Sequence, residues 1–279
     1  MVNRLLAAIQ TKDQDMTKEY ADGKMLAAIA DGIGTITFNQ PEKRNAMSVN
    51  MWQGLEEILN DFETDDGVRV IVMTGAGDKA FVSGADISQF ESQRASGNAQ
   101  LEYDRLTGGG RARLAAFPKP VIASIRGFCL GGGLGIAMQA DIRIAATGSA
   151  YGIPAAKLGI AYGYDMVSRL VSLVGQAHAR VLLFSGERID AEEAARIGLI
   201  NKCVAVDALD AEVGKLAASI ASNAPLSVLT MKRGVNEVMK PNGDKAMIDT
   251  AVAACFDSAD YKEGRTAFME KRKPVWTGR

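Results

Sequence analysis

Two glycine-bearing segments hold the first residues in this chain with the makings of chemistry. One is Gly127-Phe128-Cys129-Leu130-Gly131-Gly132-Gly133-Leu134-Gly135. Three glycines in a row put no Cβ between the backbone and an approaching molecule. A helix opening there would present unpaired amide N–H groups with partial positive charge, which suits a phosphate, a carboxylate or an oxyanion. The other segment is Ala80-Phe81-Val82-Ser83-Gly84-Ala85-Asp86-Ile87, where a strand again runs through a glycine into a helix start. Two such turns whose amides converge on one oxygen form an oxyanion hole. The structural alternatives are tight helix–strand packing for the glycine run and a local helix-start carboxylate for Asp86. A dinucleotide fingerprint fits poorly. Gly131 and Gly133 supply G-x-G, but the third position is Ile136 and no acidic residue follows about twenty positions on. No Gly-Lys-Ser/Thr continues the run as a P-loop would require.

Other reactive side chains are few. His178 is the only histidine, so a histidine-rich metal site is excluded and any Ser-His or Cys-His device would have to use it. Its setting, Gly175-Gln176-Ala177-His178-Ala179-Arg180, reads as a surface helix. Cys129, Cys203 and Cys255 form no C-x-x-C pair and read as free thiols in a reducing compartment. No metal is expected. Trp52 and Trp276 read as packing residues. The formal net charge is -1, with 32 basic against 33 acidic residues, so nucleic acid and an anionic membrane are not expected as partners. The first ten residues are too short an apolar run for a secretory signal, and no stretch has the length of a membrane span. A cytoplasmic protein is expected.

These turns need elements to hold them. Residues 1–23 read as a charged lead-in. Lys24–Ala30 and Ile33–Phe38 flank Asp31-Gly32, a strong hairpin signal. Ser48 is placed to cap a helix over Val49–Glu63 with Met51, Leu55, Ile58, Leu59 and Phe62 on one face. Val68–Thr74 is a continuous apolar strand of the kind covered on both faces. Ala80–Ser83 reads as a short strand and Ile87–Phe117 as helix, weakened at Gly108-Gly109-Gly110. Pro118-Lys119-Pro120 stops that helix. A strand over Val121–Ile125 enters the glycine run, a helix spans about Gly133–Gln139, and Asp141–Ala145 is again strand. Helices are predicted over Asp165–Val174, Ala177–Phe184 and Ala191–Ile197, then a last strand near Cys203. From about Asp207 the pattern is helical. Strands alternate with helices to about residue 206, so the fold class is α/β with a helical end. The expected organisation is a lead-in over 1–23, a core over 24–206 and a helical segment over 207–279.

An ordered series of motifs resembles the enoyl-CoA hydratase/isomerase (crotonase) superfamily. The series comprises Pro41-Glu42-Lys43-Arg44-Asn45-Ala46-Met47, the Ser-Gly-Ala-Asp turn, and Lys119-Pro120-Val121-Ile122-Ala123-Ser124-Ile125-Arg126-Gly127-Phe128 leading into the triple glycine. Ala140–Ala145, Ser185–Ala191, Gly198–Asn201 and Glu263–Lys273 follow in order. The resemblance implies a spiral of ββα units, with the helical C-terminal segment serving trimerisation and the trimers often paired into hexamers. It implies an acyl-CoA thioester substrate stabilised as an enolate, with no cofactor beyond the CoA that the substrate carries. By position, the oxyanion donors are the amides of Ala85 and Gly132. Lys43, Arg44, Ala46, Ser83, Ala85, Asp86 and Ile87 fall on the CoA-binding side. Phe268 and Lys271 fall where the C-terminal helix, often a neighbouring subunit's, meets the adenine end. Cations there make physical sense beside phosphates, the alternative being solvated surface charge.

The chain departs from the family at both hydratase glutamates. Gly135 stands where the first is expected, and Ala155 after Ile153-Pro154 where the second is expected. Hydration needs one group to activate water and another to deliver a proton. The nearby turn Gly159-Ile160-Ala161-Tyr162-Gly163-Tyr164-Asp165-Met166 supplies the nearest proton-carrying groups, Tyr162 and Asp165. Asp165 also fits a helix-start residue, and Tyr162 and Tyr164 fit pocket walls that donate a hydrogen bond. Three readings follow: an acyl-CoA enzyme of hydratase type with altered chemistry; an isomerase, decarboxylase or thioester hydrolase; and a binding protein or regulatory subunit without turnover.

Overall fold

The computed structural model describes residues 17–86 and 97–279. The predicted hairpin forms between β2 (Met25–Ala30) and β3 (Ile33–Phe38). Asp31 and Gly32 both take positive φ, 51° and 80°, as a tight two-residue turn requires. Ahead of them β1 (Lys18–Tyr20) adds antiparallel to β2, so the end of the expected lead-in is a sheet edge. Residues 1–16 lie outside the described residues.

Helix α1 (Val49–Thr64) buries all five predicted face residues together with Trp52 and Gly54. Ser48 occupies the N-cap, but its hydroxyl donates to Asn50 Oδ1 and does not cap the helix. The continuous apolar strand is β4 (Val70–Gly75), followed by β5 (Ala80–Val82). Helix α2 (Gly97–Ala115) runs unbroken through Gly108-Gly109-Gly110. The expected weak point is therefore no break, and the first part of the predicted helix, 87–96, lies outside the described residues. A Cβ on Gly110 would lie 2.6 Å from Trp52 Cε3, so close approach of α2 to α1 requires glycine there.

Strand β6 (Val121–Ile125) leads to β7 (Phe128–Leu130) and then to α3 (Gly132–Ala137). Next come β8 (Ile142–Ala146), β9 (Ala150–Gly152) and α4 (Tyr164–Ser185). The two helices expected on either side of Gly175 are both present: the run labelled α4 is interrupted at that glycine, whose φ of 71° and ψ of 165° are not helical. The chain continues with β10 (Arg188–Asp190), α5 (Ala191–Arg196), β11 (Lys202–Val204), α6 (Leu209–Ala221), α7 (Pro225–Val238), α8 (Lys245–Asp257) and α9 (Ala259–Glu270).

The ββα repeat is legible in the pairing. Strands β4, β6 and β8 are parallel neighbours in a seven-stranded sheet ordered β1-β2-β3-β4-β6-β8-β11. Their successors β5, β7 and β9 are parallel neighbours in a four-stranded sheet ordered β10-β9-β7-β5. Each turn of the spiral thus lays one strand in each sheet before its helix. Side chains on β4 divide between two cores. Ile71 and Met73 enter the main core, while Val70 and Val72 enter a smaller one on the far face. This alternation explains why the strand is apolar throughout. Helix α6 closes the far face with Leu209, Val213 and Ala217, spaced four apart on one side. Among the described residues, no helix is long and apolar enough to cross a membrane.

Candidate active site

The three consecutive glycines have three separate reasons to be glycine. Gly131, at the N-cap of α3, has φ 52° and ψ −119°, a conformation that L side chains rarely adopt. Gly133 packs against β5: a Cβ there would lie 2.0 Å from the Val82 carbonyl oxygen. Packing thus accounts for Gly133, as the structural alternative for the run holds. Gly132 is different. A Cβ on it would lie 3.8 Å from the Ala85 nitrogen and 3.8 Å from the Gly84 carbonyl carbon, both ordinary contacts. Nothing in the packing forbids a side chain at Gly132, and what one would fill is the space beside the Ala85 amide.

The Ala85 turn is held from one side by the loop after β3. Met47 N donates to Gly84 O (2.8 Å), Asp86 N to Met47 O (2.9 Å) and Ser83 N to Arg44 O (3.1 Å). Fully buried Asn45 anchors that loop, accepting from Gln40 N (2.9 Å) and donating to the carbonyls of Ala76 (3.0 Å) and Ala80 (2.8 Å). From the other side Gly131 N donates to Gly152 O (2.9 Å), tying the second turn to β9. The two turns are therefore fixed through β5, β7 and β9, adjacent strands of the small sheet.

The structure places the proposed CoA-side residues around this loop. Lys43 Nζ lies 2.7 Å from the carboxylate of buried Asp86, in an ion pair. Ala46 is buried, and the Ser83 hydroxyl faces the Lys43 carbonyl at 3.5 Å. The Arg44 guanidinium stands 5.3 Å from the centre of the Phe128 ring, and Arg188 reaches the same ring at 5.2 Å. Sequence reasoning missed Arg188, because only the pairing of β10 with β9 brings it there. Ile87 lies outside the described residues. Phe268 lies on α9, 83% exposed, and Lys271 is the exposed C-cap of that helix. Both belong to the terminal helical layer, where α9 follows directly on α8.

Of the two proton-carrying candidates, only Tyr162 is brought to the turns. Its half-buried hydroxyl lies 3.7 Å from where a Cβ on Gly131 would be. Asp165 is exposed in the first turn of α4, where a carboxylate complements the helix's positive end. Tyr164 is 85% exposed.

The two positions where the resemblance expects glutamates differ. Ala155 is buried in a short 3-10 helix over Pro154–Leu158. Around Gly135 a side chain would meet the flexible end of Met166: a Cβ there would lie 2.6 Å from Met166 Cε, 3.2 Å from its sulfur and 3.5 Å from Arg111 Cδ, so the thioether would have to move aside. Neither Met166 nor Arg111 was legible as a site residue, since each arrives from a different helix. Cys129, on the strand between the turns, is fully buried, and burial pushes its thiol well up, so it is no nucleophile at neutral pH. Half-exposed His178 sits on α4. Among the described residues, no cluster of histidine, cysteine or carboxylate side chains could hold a metal ion.

Comparison with known proteins agrees with this architecture. The enoyl-CoA hydratase/isomerase family model matches residues 28–279. The short-chain-enoyl-CoA hydratase of Clostridium acetobutylicum is 38% identical over 243 residues, covering 86% of this chain and 92% of that protein. The crotonyl-CoA hydratase of Syntrophomonas wolfei is 40% identical over 243 residues, covering 86% and 93%. The crystal structure of an enoyl-CoA hydratase/carnitine racemase from Magnetospirillum magneticum superposes with a TM-score of 0.88 at 36% identity, covering 92% of this chain and 96% of that one. From its strand order to its glycine turns, the chain belongs to the enoyl-CoA hydratase/isomerase (crotonase) family.

Proposed function

We propose that this protein binds an acyl-CoA thioester with the carbonyl oxygen between the amides of Ala85 and Gly132, and turns it over through an enolate. The observation that carries this reading is that Gly132 is glycine where a Cβ would fit without a clash, 3.8 Å from the Ala85 nitrogen, with the Tyr162 hydroxyl beside the neighbouring Gly131. In that arrangement two fixed N–H donors meet the charge that develops on the thioester oxygen. Tyr162 is the group placed to hand over or receive a proton. Lys43, Arg44 and Arg188 supply positive charge on the side where the resemblance puts the CoA phosphates.

Rapid hydration is not the reaction this site favours. Gly135 and Ala155 carry no acid or base, and the Met166 thioether leans into the first position. Hydratase activity on crotonyl-CoA is expected roughly 10² to 10⁴ below that of an enzyme with both carboxylates. The same two positions favour a second reading, an acyl-CoA-binding protein without turnover. Incubation with a panel of acyl-CoA esters, followed by mass spectrometry, separates the two. A product that forms with the parent and disappears in Tyr162→Phe supports the enzyme. Binding across the panel with no product supports the binding protein.

We also propose that the working form is a trimer or a pair of trimers. Helices α7 and α8 bury none of their residues in the single chain, and Met231, Val235 and Val238 on α7 lie open to solvent. Exposed apolar faces of this kind mark association surfaces.

A further inference from the structure

Asn45 ties together segments that are far apart in the chain. It is fully buried and takes the left-handed backbone region, at φ 57°, directly after Arg44 at φ 54°. Asparagine tolerates that region better than most residues. Its N–H donates to Gln40 O (2.8 Å) and its Oδ1 accepts from Gln40 N (2.9 Å), so the loop is closed on itself twice. Nδ2 reaches out of the loop and donates to the carbonyls of Ala76 (3.0 Å) and Ala80 (2.8 Å). A side-chain amide has two such hydrogens, and both are used here. The two carbonyls stand just after β4 and at the first residue of β5.

Strand β5 is thereby held at both ends from one loop. Asn45 Nδ2 holds Ala80 at its start, and the Arg44 carbonyl takes the Ser83 N–H just past its end (3.1 Å). Met47 then forms a single parallel bridge with Ala85, accepting from Asp86 N (2.9 Å) and donating to Gly84 O (2.8 Å). Along an extended chain, the backbone groups of successive residues point to opposite sides. A bridge that uses Gly84 O and Asp86 N therefore turns the Ala85 N–H away from the loop. That N–H makes no hydrogen bond among the described residues, and a Cβ on Gly132 would lie 3.8 Å from its nitrogen. A slip of one residue would aim the amide of Gly84 or Asp86 instead.

We infer that Asn45 is a positioning residue: its side chain fixes the register of the 83–86 turn, so that Ala85 is the amide left open to the thioester oxygen. The inference rests on the acyl-CoA reading above and adds what holds one of its two donors in place. A donor of this kind works only when it is already aimed. A backbone amide is aimed through the register of its strand, and here one buried side chain sets that register. Aspartate has the same shape but no N–H for the two carbonyls, and a residue without a polar side chain would leave both of them unpaired.

The test reads the bound carbonyl rather than the affinity. A short acyl-CoA with ¹³C at the thioester carbonyl is added to the full-length protein at saturation, and its infrared stretch is compared with that in water. The parent should lower the frequency. Asn45→Asp keeps the shape and the acceptor, while Asn45→Gly keeps the left-handed backbone and loses the side chain. In either folded variant the downshift should shrink to roughly half, as for loss of one of two donors. A residue that only supported the fold would lower the Tm and leave the downshift as in the parent; that result overturns the inference while the acyl-CoA reading stands. An ester that does not bind the parent, or binds it with no downshift, overturns both. Hydrogen exchange on the parent covers the case in which neither variant yields a folded complex. The Met47 and Asp86 amides should exchange at least about tenfold more slowly than the Ala85 amide, and equal protection of all three overturns the inference.

Discussion

Adjacent glycines at the proposed oxyanion turn should respond in opposite ways to the same added methyl group. In Gly133→Ala the Cβ would stand 2.0 Å from the Val82 carbonyl oxygen and 2.7 Å from its carbon. Both are backbone atoms of a buried strand, so no side chain can swing aside. Overpacking of a core typically costs about 1–3 kcal/mol, and this contact lies at or beyond the upper end. In Gly132→Ala the three nearest atoms stand at 3.8, 3.8 and 4.0 Å, and the residue lies outside the left-handed region. Folding should therefore be unharmed, with a gain of up to about 1 kcal/mol from replacing a helical glycine. The new methyl, however, enters the space where an oxygen must approach both amides. Loss of one such donor lowers turnover by about 10² to 10³. Thermal melts should show Gly132→Ala at or above the parent Tm and Gly133→Ala far below it. Calorimetry should show CoA alone binding Gly132→Ala as it binds the parent, while an acyl-CoA loses its advantage over CoA. A Gly132→Ala protein that binds acyl-CoA like the parent would refute the reasoning, and so would one that melts like Gly133→Ala.

Further outcomes follow from the same structure. Restoring both carboxylates as Gly135→Glu with Ala155→Glu should raise crotonyl-CoA hydration only modestly, because Met166 Cε would stand 2.6 Å from the new Cβ; adding Met166→Ala should raise it further, and a hydration assay in which the third change does nothing contradicts that steric account. Light scattering at micromolar concentration should report a trimer or hexamer, and Val235→Asp on the exposed face of α7 should shift it towards monomer; a parent that is already monomeric refutes the assembly. The Arg272 guanidinium and the Val275 N–H hold Glu263 down at about 2. Its folded-state value is depressed, so its contribution is present above the unfolded value near 4.5 and fades as the pH falls towards about 2. Denaturant melts of Glu263→Gln should therefore show a constant deficit against the parent above pH 4.5 that shrinks in acid; a deficit that does not change with pH counts against the pair.

Much of the frame was legible because long elements repeat their period often enough to be read. Helix α1 repeats over 16 residues, and β4 is apolar throughout because its two faces meet two cores. Strands β7, β9 and β10 were missed, since three residues cannot show an alternation and their pairing is set by distant partners. Gly108-Gly109-Gly110 reads as a weak point in the helix because propensity counts only the local cost; the packing of Gly110 on Trp52 is a tertiary matter. The same division holds at the site. The glycine turns are visible in sequence order, as are Gly135 and Ala155 where the resemblance expects glutamates. Met166 and Arg111 beside Gly135, and Arg188 on the Phe128 ring that Arg44 also reaches, are not visible, because each depends on how separate elements come together. Tyr162 and Asp165 were indistinguishable as neighbours in a turn until the start of α4 exposed one and turned the other towards Gly131.

Polarisation of the substrate carbonyl by the Ala85 and Gly132 amides is the centre of the account, and isotope-edited infrared spectroscopy reads it directly. An acyl-CoA labelled with ¹³C at the thioester carbonyl should show a stretch at lower frequency when bound to the parent than in water, because two donors draw electron density onto the oxygen. The downshift should diminish in Gly132→Ala at concentrations that keep the ester bound. A bound carbonyl at the solution frequency, or a downshift unchanged in Gly132→Ala, would contradict the account.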